Sequence, residues 1–488
     1  MRKAGIVTII LFLLCSFGVY VGAMDIYKER NQVGFTEQVI YGEREAINGM
    51  RVKFGTTYKY HLLWDTVYDL KENGETETKT EYGFSIFSNY NGRFNPQYNG
   101  VNLEIQPSFS VEYSDYNKDK GFDKKGIGLA YQQLFETIEA GGEGEKEIYL
   151  KNYLDYYPIT GNLDFPYMSV NLDSIYRVNQ KSDYKNETYI AKKIQEYFKI
   201  PVLEEETFMI HMRKNENGSI SSLGGGSTES DSYYMNVFNK LTENACYFTF
   251  DTHTREEKII DTSHLKEGYG IYCLPYEEIK YNEKGEFLSG GIDIDNLKMV
   301  YPLEPEIKIV AIETNKNETK LLLHTIEEEI YMLTVIDIKT MELLQKLEIM
   351  DWNGGTLGNF SIYNEDDFMA IMIGGTELAV VSLEEKEEYK LQFVCNLKID
   401  EIPWFDTYRS AVDFDGEKLV MTGQVRDGVY GTMEDTSNFY LAVYNKEGIV
   451  YYGEYISSLT TGKDADSYNY HCRGTDYVPL KVEWLNKK

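Results

Sequence analysis

Short alternating runs of β-branched and aromatic residues, broken by clusters of Gly, Asn, Asp and Lys, dominate the chain from Arg51 onward. A period of two with turn residues at each break is the pattern of half-buried strands, so an all-β body is predicted. Two stretches depart from it. Ile127 to Ala140 sets Ala130, Tyr131, Leu134, Phe135 and Ile138 on one helical face with Gly141 as a stop, and Thr188 to Lys199 is closed by Pro201. Both predict short helices inserted into the β framework. Residues 25–50 are polar, mixed in charge and without a sustained apolar period, which predicts a stalk.

The start of the chain has a third texture. Arg2 and Lys3 precede an uncharged run from Ala4 to Met24, most apolar over Ile6 to Leu14. A charged head before such a run is an export signal, and it leaves two fates open. Val21-Gly22-Ala23 offers small residues for cleavage after Ala23, while the uncleaved run is long enough to span about 30 Å of hydrocarbon. Either way Arg2 and Lys3 stay inside and the body is translocated. The expected location is the cell membrane, single-pass with an extracytoplasmic C-terminal body, or the exterior if the signal is cut.

A faint internal repeat organises the C-terminal half. Strand, polar anchor and tight turn recur at Cys246–Asp251, Gly291–Asp295, Leu333–Asp337, Leu378–Ser382 and Leu441–Asn445, with the anchors 44, 42, 45 and 63 residues apart. Arg426 to Ser437 reads as a loop that lengthens the last gap. Asp413-Phe-Asp415-Gly416 follows Tyr363-Asn-Glu-Asp-Asp-Phe368 by about 51 residues and predicts an inner hairpin in two consecutive units. A period near 45 residues with about four strands per unit is what a β-propeller requires, because each blade has two apolar faces that only neighbouring blades can cover. Two stacked sandwiches would supply the strands without the period. The predicted fold is therefore a β-propeller of about six to eight four-stranded blades with two inserted helices. Its predicted segments are a signal or anchor over 1–24, a stalk over 25–50, divergent blades or a small α+β region over 51–204, and propeller blades over 205–488.

Leu333 to Leu344, with Asp337 and Thr340 at its turn, resembles the repeat of YVTN-type and quinoprotein-type propellers. The tryptophan-bearing docking motifs of the quinoprotein repeats are missing, so the resemblance implies the fold without a quinone cofactor. His61-Leu-Leu-Trp64-Asp65-Thr66-Val-Tyr68, followed by Tyr82-Gly-Phe84-Ser85, resembles single-anchor exported proteins of clostridia. That likeness implies no activity.

Charge narrows the partners. The chain carries 79 acidic against 49 basic residues, a net charge of −30, which repels phosphate backbones and argues against nucleic acid. Cys246, Cys273, Cys395 and Cys472 are too sparse for a disulfide scaffold, leaving either a Cys246–Cys273 bridge or buried thiols. In Asp115-Tyr-Asn117-Lys-Asp119-Lys-Gly121-Phe-Asp123, four oxygen side chains (Asp115, Asn117, Asp119 and Asp123) at the first, third, fifth and ninth positions of a tight loop form a candidate calcium site. The glycine stands one place late for an EF-hand, and Gly126 replaces its closing glutamate. Cys246, His253, His264 and Cys273 are residue types that zinc favours, at spacings of 7, 11 and 9 that match no compact knuckle. Both histidines read as surface side chains in polar turns.

No nucleophile elbow, zinc-protease helix, phosphate loop or dinucleotide fingerprint is present, and Gly224-Gly225-Gly226-Ser227 reads as a flexible loop. No catalytic residue is assigned. The 42 tyrosines suit half-buried strands, and those at Tyr153–Tyr157 and Tyr468-Asn469-Tyr470-His471 are the densest groups for stacking on a ligand. The function expected is a binding or interaction module for a protein, peptide or glycan at the cell surface. The alternative is an exported hydrolase of carbohydrate or another envelope polymer.

Overall fold

The computed structural model describes all residues except 1, 30–32, 59–61, 85–98, 106–121, 123–125, 167, 173–186, 228–234, 254–257, 283, 285–286, 353–359, 374, 385–387, 398–409, 426–437, 459–467, 471–480 and 488. Three α-helices are present among the described residues: α1 (Arg2–Glu29), α2 (Gly126–Thr137) and α3 (Glu187–Tyr197). The remaining structure is strands and turns. In chain order the first strands are β1 (Phe35–Gly42), β2 (Met50–Tyr58), β3 (Leu62–Leu70), β4 (Thr76–Phe84), β5 (Gly100–Ile105), β6 (Glu143–Tyr149), β7 (Ile159–Phe165) and β8 (Met168–Asn171). Next come β9 (Thr207–Lys214), β10 (Ile220–Ser227), β11 (Asn236–Leu241), β12 (Ala245–Asp251), β13 (Gly270–Tyr281), β14 (Phe287–Ile292) and β15 (Lys298–Pro302). After these stand β16 (Lys308–Thr314), β17 (Lys320–Glu327), β18 (Ile330–Asp337), β19 (Leu343–Asp351), β20 (Phe360–Asn364), β21 (Phe368–Ile373) and β22 (Glu377–Leu383). The last are β23 (Tyr389–Asn396), β24 (Ala411–Phe414), β25 (Leu419–Gln424), β26 (Phe439–Asn445), β27 (Gly448–Ser457), β28 (Tyr468–Tyr470) and β29 (Lys481–Trp484).

The chain divides into two compact units, one of residues 1–97 with 355–488 and the other of residues 98–354. The first unit holds a four-stranded antiparallel meander, β20-β21-β22-β23, and a second meander, β24-β25-β26-β27. Strands from both ends of the chain join its sheets. β1 adds to the outer edge of β27, Phe35 opposite Ser457 through Gly42 opposite Tyr451, so part of the stretch expected to be a stalk is a strand. β28 and β29 both pair with β2, and with β3 and β4 they complete a third sheet from the two ends of the chain.

Burial explains why these sheets need one another. Along β26, Tyr440, Ala442 and Tyr444 join a core with Ala370, Val380 and Phe414, while Phe439, Leu441 and Val443 join another with Val52, Phe54 and Tyr68. One strand thus buries both of its faces, each against a different sheet, which is the demand that makes blades stack. Phe439 and Tyr455 lie stacked at 4.6 Å between centroids.

The added terminal strands are also pinned by polar groups. Glu37 of β1 accepts hydrogen bonds from Arg44 Nε at 2.8 Å and from the hydroxyls of Tyr451 at 3.0 Å and Tyr455 at 3.3 Å. The hydrogen bond to Glu37 raises the Arg44 pKa against the opposing effect of burial. At the other terminus, Lys487 Nζ lies 2.8 Å from Asp413 Oδ1, and Trp484 N donates to Asp413 Oδ2 at 2.7 Å.

In the second unit β16-β17-β18-β19 is a complete meander, and β11-β12-β13 is a three-strand meander whose outer edge is shared. The first half of β13 pairs with β15 and its second half with β14. On β12, Cys246, Phe248 and Phe250 face one core, while Ala245 and Tyr247 face another with Ile309, Leu321 and Leu323. β5-β7-β8 forms one further sheet and β10-β9-β6 another.

The two predicted helices are found in this unit, each ending two to three residues short of its expected limit. α2 buries Ile127, Ala130, Tyr131 and Leu134 at helical spacing. Its C-terminal carbonyls are met by Lys214 of β9, whose Nζ donates to Phe135 O and Ile138 O at 2.6 Å each. A cation there completes the orphan carbonyls and complements the helix dipole. α3 buries Ile190, Ala191, Ile194 and Tyr197.

The glycine run expected as a flexible loop is strand. Gly224, Gly225, Gly226 and Ser227 pair with His211, Ile210, Met209 and Phe208. The missing side chains are used: a Cβ on Gly225 would lie 2.5 Å from Phe208 and 2.7 Å from the Tyr131 hydroxyl, which donates to Gly224 O. Glycine here lets large neighbours lie flat on the strand.

The fold is all-β and of the propeller type: repeated antiparallel meanders, apolar on both faces, with one sheet assembled from both chain ends. Of the five predicted repeat copies, three are equivalent. Asp337 and Asn445 end the third strand of a meander and Ser382 stands one residue before that end, each ahead of the turn into the fourth. Cys246–Asp251 is the second strand of its sheet, and Asp295 lies in a 3-10 turn between β14 and β15, so these copies are out of phase. The anchor chemistry holds at Asp337, whose Oδ1 accepts from Lys339 N at 2.9 Å and Thr340 N at 2.8 Å and whose pKa is lowered by these bonds. The two predicted inner hairpins are β20–β21 and β24–β25, the second turned by Asp415.

Candidate functional site

The calcium candidates Asp115, Asn117, Asp119 and Asp123 lie outside the described residues. Among the described residues no group of three or more His, Cys, Asp or Glu is placed to hold a metal. Cys246 and Cys273 are free and lie on neighbouring strands, Cys246 opposite Leu274 and Tyr247 opposite Cys273. Their side chains therefore enter different cores, and no bridge forms between them. Burial pushes the Cys246 thiol up to about 12, as expected of an inert core sulfur.

The histidines are tied down separately. His253 is buried instead of exposed, because its ring Nδ1 lies 2.8 Å from Asp251 Oδ1 and the same oxygen accepts its backbone N–H at 3.0 Å. His264 packs edge-on against Tyr156, whose hydroxyl is 3.4 Å from its Nδ1. Of the dense tyrosine group, Tyr157 is buried with its hydroxyl donated to Glu206, and Tyr153 donates to Gln133 at 3.2 Å. These rings serve packing.

The described surface offers another place for a ligand. A cavity of about 540 Å³ opens where β13 changes partner from β15 to β14, lined by Asn244, Pro275, Tyr276, Glu277, Gly290, Gly291, Ile292 and Asp293. Backbone geometry makes it. Gly290 and Gly291 have φ of 96° and 102°, and a Cβ on Gly290 would lie 2.0 Å from Glu278 O, so only glycine permits this approach. Tyr276 N donates to Asn244 O at 3.1 Å and Asp293 N to Pro275 O at 3.0 Å, tying the β11–β12 turn and the strand ends together.

The polar inventory is one-sided. The Tyr276 hydroxyl is committed to Thr242 O at 2.5 Å. The Glu277 and Asp293 side chains are exposed and have no ion-pair partner among the described residues. Asp293 Oδ2 accepts from Asn296 Nδ2 at 2.6 Å, and among the described residues its other oxygen has no hydrogen-bond partner. The cavity thus sets two exposed carboxylates beside the half-buried Pro275, while Tyr276 and Ile292 turn into the core. Its only sequence signal is the Gly290-Gly291 pair at the end of a strand run, which the 45-residue repeat absorbs as part of a strand and turn.

No protein-family model matches the chain, and no curated protein is significantly similar to it. Among solved structures it is similar to a hypothetical selenium-binding protein from Sulfolobus tokodaii, with 9% identity over 88% of this chain and 94% of that one at a TM-score of 0.25. It is also similar to the β-propeller domain of Cps50 from Myceliophteria thermophila, with 8% identity over 50% and 82% of the two chains and a TM-score of 0.23. A third is the β-propeller domain of the Trilobed protease from Pyrococcus furiosus, with 13% identity, coverage of 51% and 67%, and a TM-score of 0.18. At such scores the likenesses carry no argument about activity, and the fold rests on the sheet pairing itself.

Proposed function

We propose that this chain is a propeller-type binding module, held at the outer face of a membrane by its N-terminal segment, that recognises a protein, peptide or glycan partner. The observation that carries the binding reading is the cavity at the β13–β14 junction. Its volume is in the range of ligand sites, and its lining sets the polar side chains of Asn244, Glu277 and Asp293 beside Pro275 and the core residues Tyr276 and Ile292. A rigid sheet framework with the ligand groups at strand ends and turns is also how β folds commonly present binding surfaces.

The membrane part of the proposal rests on α1, which exposes Ile10, Leu11, Phe12, Leu13, Leu14, Phe17, Val19, Tyr20 and Val21 behind Arg2 and Lys3. No helix among the described residues is long and apolar enough to cross a membrane; within α1 the described side chains are 5, 10–22 and 24. The anchor is tested by carbonate extraction of cells that make the full chain. Retention in the membrane pellet, with the body open to added protease in intact cells, is expected. Release into the wash, or a protected body, contradicts it. Binding is tested by probing glycan and peptide arrays with the full-length chain in detergent. Saturable binding to one class is expected, and absence of binding on both arrays defeats the reading.

A further inference from the structure

We infer that the cavity at the β13–β14 junction takes a basic side chain of a peptide or protein partner, arginine above all. The inference rests on the binding-module reading and names the ligand class. Donors and acceptors around the opening are unequally spent. The amide nitrogens of Tyr276 and Asp293 are used on Asn244 O and Pro275 O, and the Tyr276 hydroxyl is used on Thr242 O. Among the described residues, what remains for a ligand is the carboxylate of Glu277, one oxygen of Asp293 and the amide of Asn244.

Two carboxylates against one carboxamide give the lining a negative charge and more acceptors than donors, which suits a cationic ligand that brings donors only. A sugar hydroxyl could use the Asn244 amide but would leave both carboxylate charges unmatched, and a carboxylate or phosphate would meet like charge. An ammonium or guanidinium group needs acceptors alone. Guanidinium fits better than ammonium, because its five N–H groups point outward in one plane and reach carboxylates on two sides at once.

The apolar part of the lining has a matching role. Pro275, half-buried at the opening, gives the aliphatic stem of a long basic side chain a surface to lie on while its head meets the acids. The net charge of −30 draws cationic ligands toward the chain from a distance, which affects the rate of encounter and not the choice of cavity. Glycine at 290 keeps the backbone of β14 close enough to β13 for the two acids to flank one opening.

The test uses the full-length chain in detergent and two probes, the peptide acetyl-Gly-Gly-Arg-Gly-Gly-amide and the same peptide with neutral citrulline in place of arginine. Affinity is read by isothermal titration. The arginine peptide is expected to bind at least about tenfold more tightly than the citrulline peptide. The double variant Glu277→Gln, Asp293→Asn is expected to lose about tenfold or more of the arginine affinity, with its melting curve unchanged because both side chains are exposed. A control of equal charge change, Glu143→Gln with Glu145→Gln on exposed positions of β6, is expected to stay within about twofold.

Equal binding of the two peptides overturns the inference, as does an equal loss in the cavity variant and the control, which would assign binding to bulk acidity. Array binding that is insensitive to Glu277 and Asp293 overturns the inference while leaving the binding-module reading in place. Silence on the arrays as well removes both.

Discussion

His324 sits in the middle of β17, fully buried, with Nδ1 3.0 Å from the Tyr331 hydroxyl and Nε2 without a hydrogen-bond partner among the described residues. Burial holds its pKa down at about 3 against an ordinary 6.5. The folded pKa is below the unfolded one, so the unfolded chain binds the proton more readily and stability falls as pH falls. The contribution is whole above the unfolded value and is lost progressively from about pH 6.5 toward the folded value. Between pH 7 and pH 5 this single group lowers the unfolding free energy by about 2 kcal/mol, from 1.36 kcal/mol per pH unit once the unfolded histidine is protonated.

The substitution His324→Gln removes the titration and keeps an acceptor for Tyr331. Urea unfolding of both proteins, followed by circular dichroism at pH 7, 6 and 5, isolates the effect, because carboxylates common to both cancel in the difference. The stability advantage of the parent over the variant is expected to shrink by about 2 kcal/mol across that range. A difference that stays constant with pH would refute the reasoning, since it would mean that the imidazole is hydrated or already paired in its charged form.

Packing and closure give three other expected outcomes. Leu441→Ala, which removes a fully buried side chain between two sheets, should cost about 2–5 kcal/mol in chemical denaturation, whereas Leu343→Ala at a half-exposed site should cost less than about 0.5 kcal/mol. Glu37→Gln weakens the acceptor shared by Arg44, Tyr451 and Tyr455 and should lower stability by about 1–2 kcal/mol, with faster amide exchange along β1. Gly225→Ala forces a Cβ to 2.5 Å from Phe208 and should destabilise by about 1–3 kcal/mol, read as a lower melting temperature.

Much of the framework is legible in the sequence because strand and turn chemistry is local. The turns after Asp337, Ser382 and Asn445 follow equivalent strands, and both helices declare themselves through apolar spacing. The features that do not show in the sequence depend on partners far away along the chain. β1 alternates half-buried and exposed residues on an outer edge, so nothing in its own composition distinguishes it from a polar linker until β27 is beside it. Gly224 to Gly226 look like a flexible loop unless Tyr131 and Phe208 are known to lie against them. The cavity is hidden for the same reason, since Asn244, Glu277 and Asp293 meet only because β13 changes partner midway. His253 looks like a surface residue in its polar turn because its buried state depends on Asp251 turning back to its ring.

The most direct test of the fold needs no mutation. Lys53 of β2 and Lys481 of β29 are directly paired in the sheet that joins the two ends of the chain, and opposed residues of an antiparallel pair share a face. Treatment of the full-length protein with a short amine-reactive bifunctional reagent, followed by peptide mass spectrometry, should give a Lys53–Lys481 link as a major product under native conditions and lose it in urea. If both lysines react with the reagent but are never joined to each other, the two ends of the chain do not share a sheet.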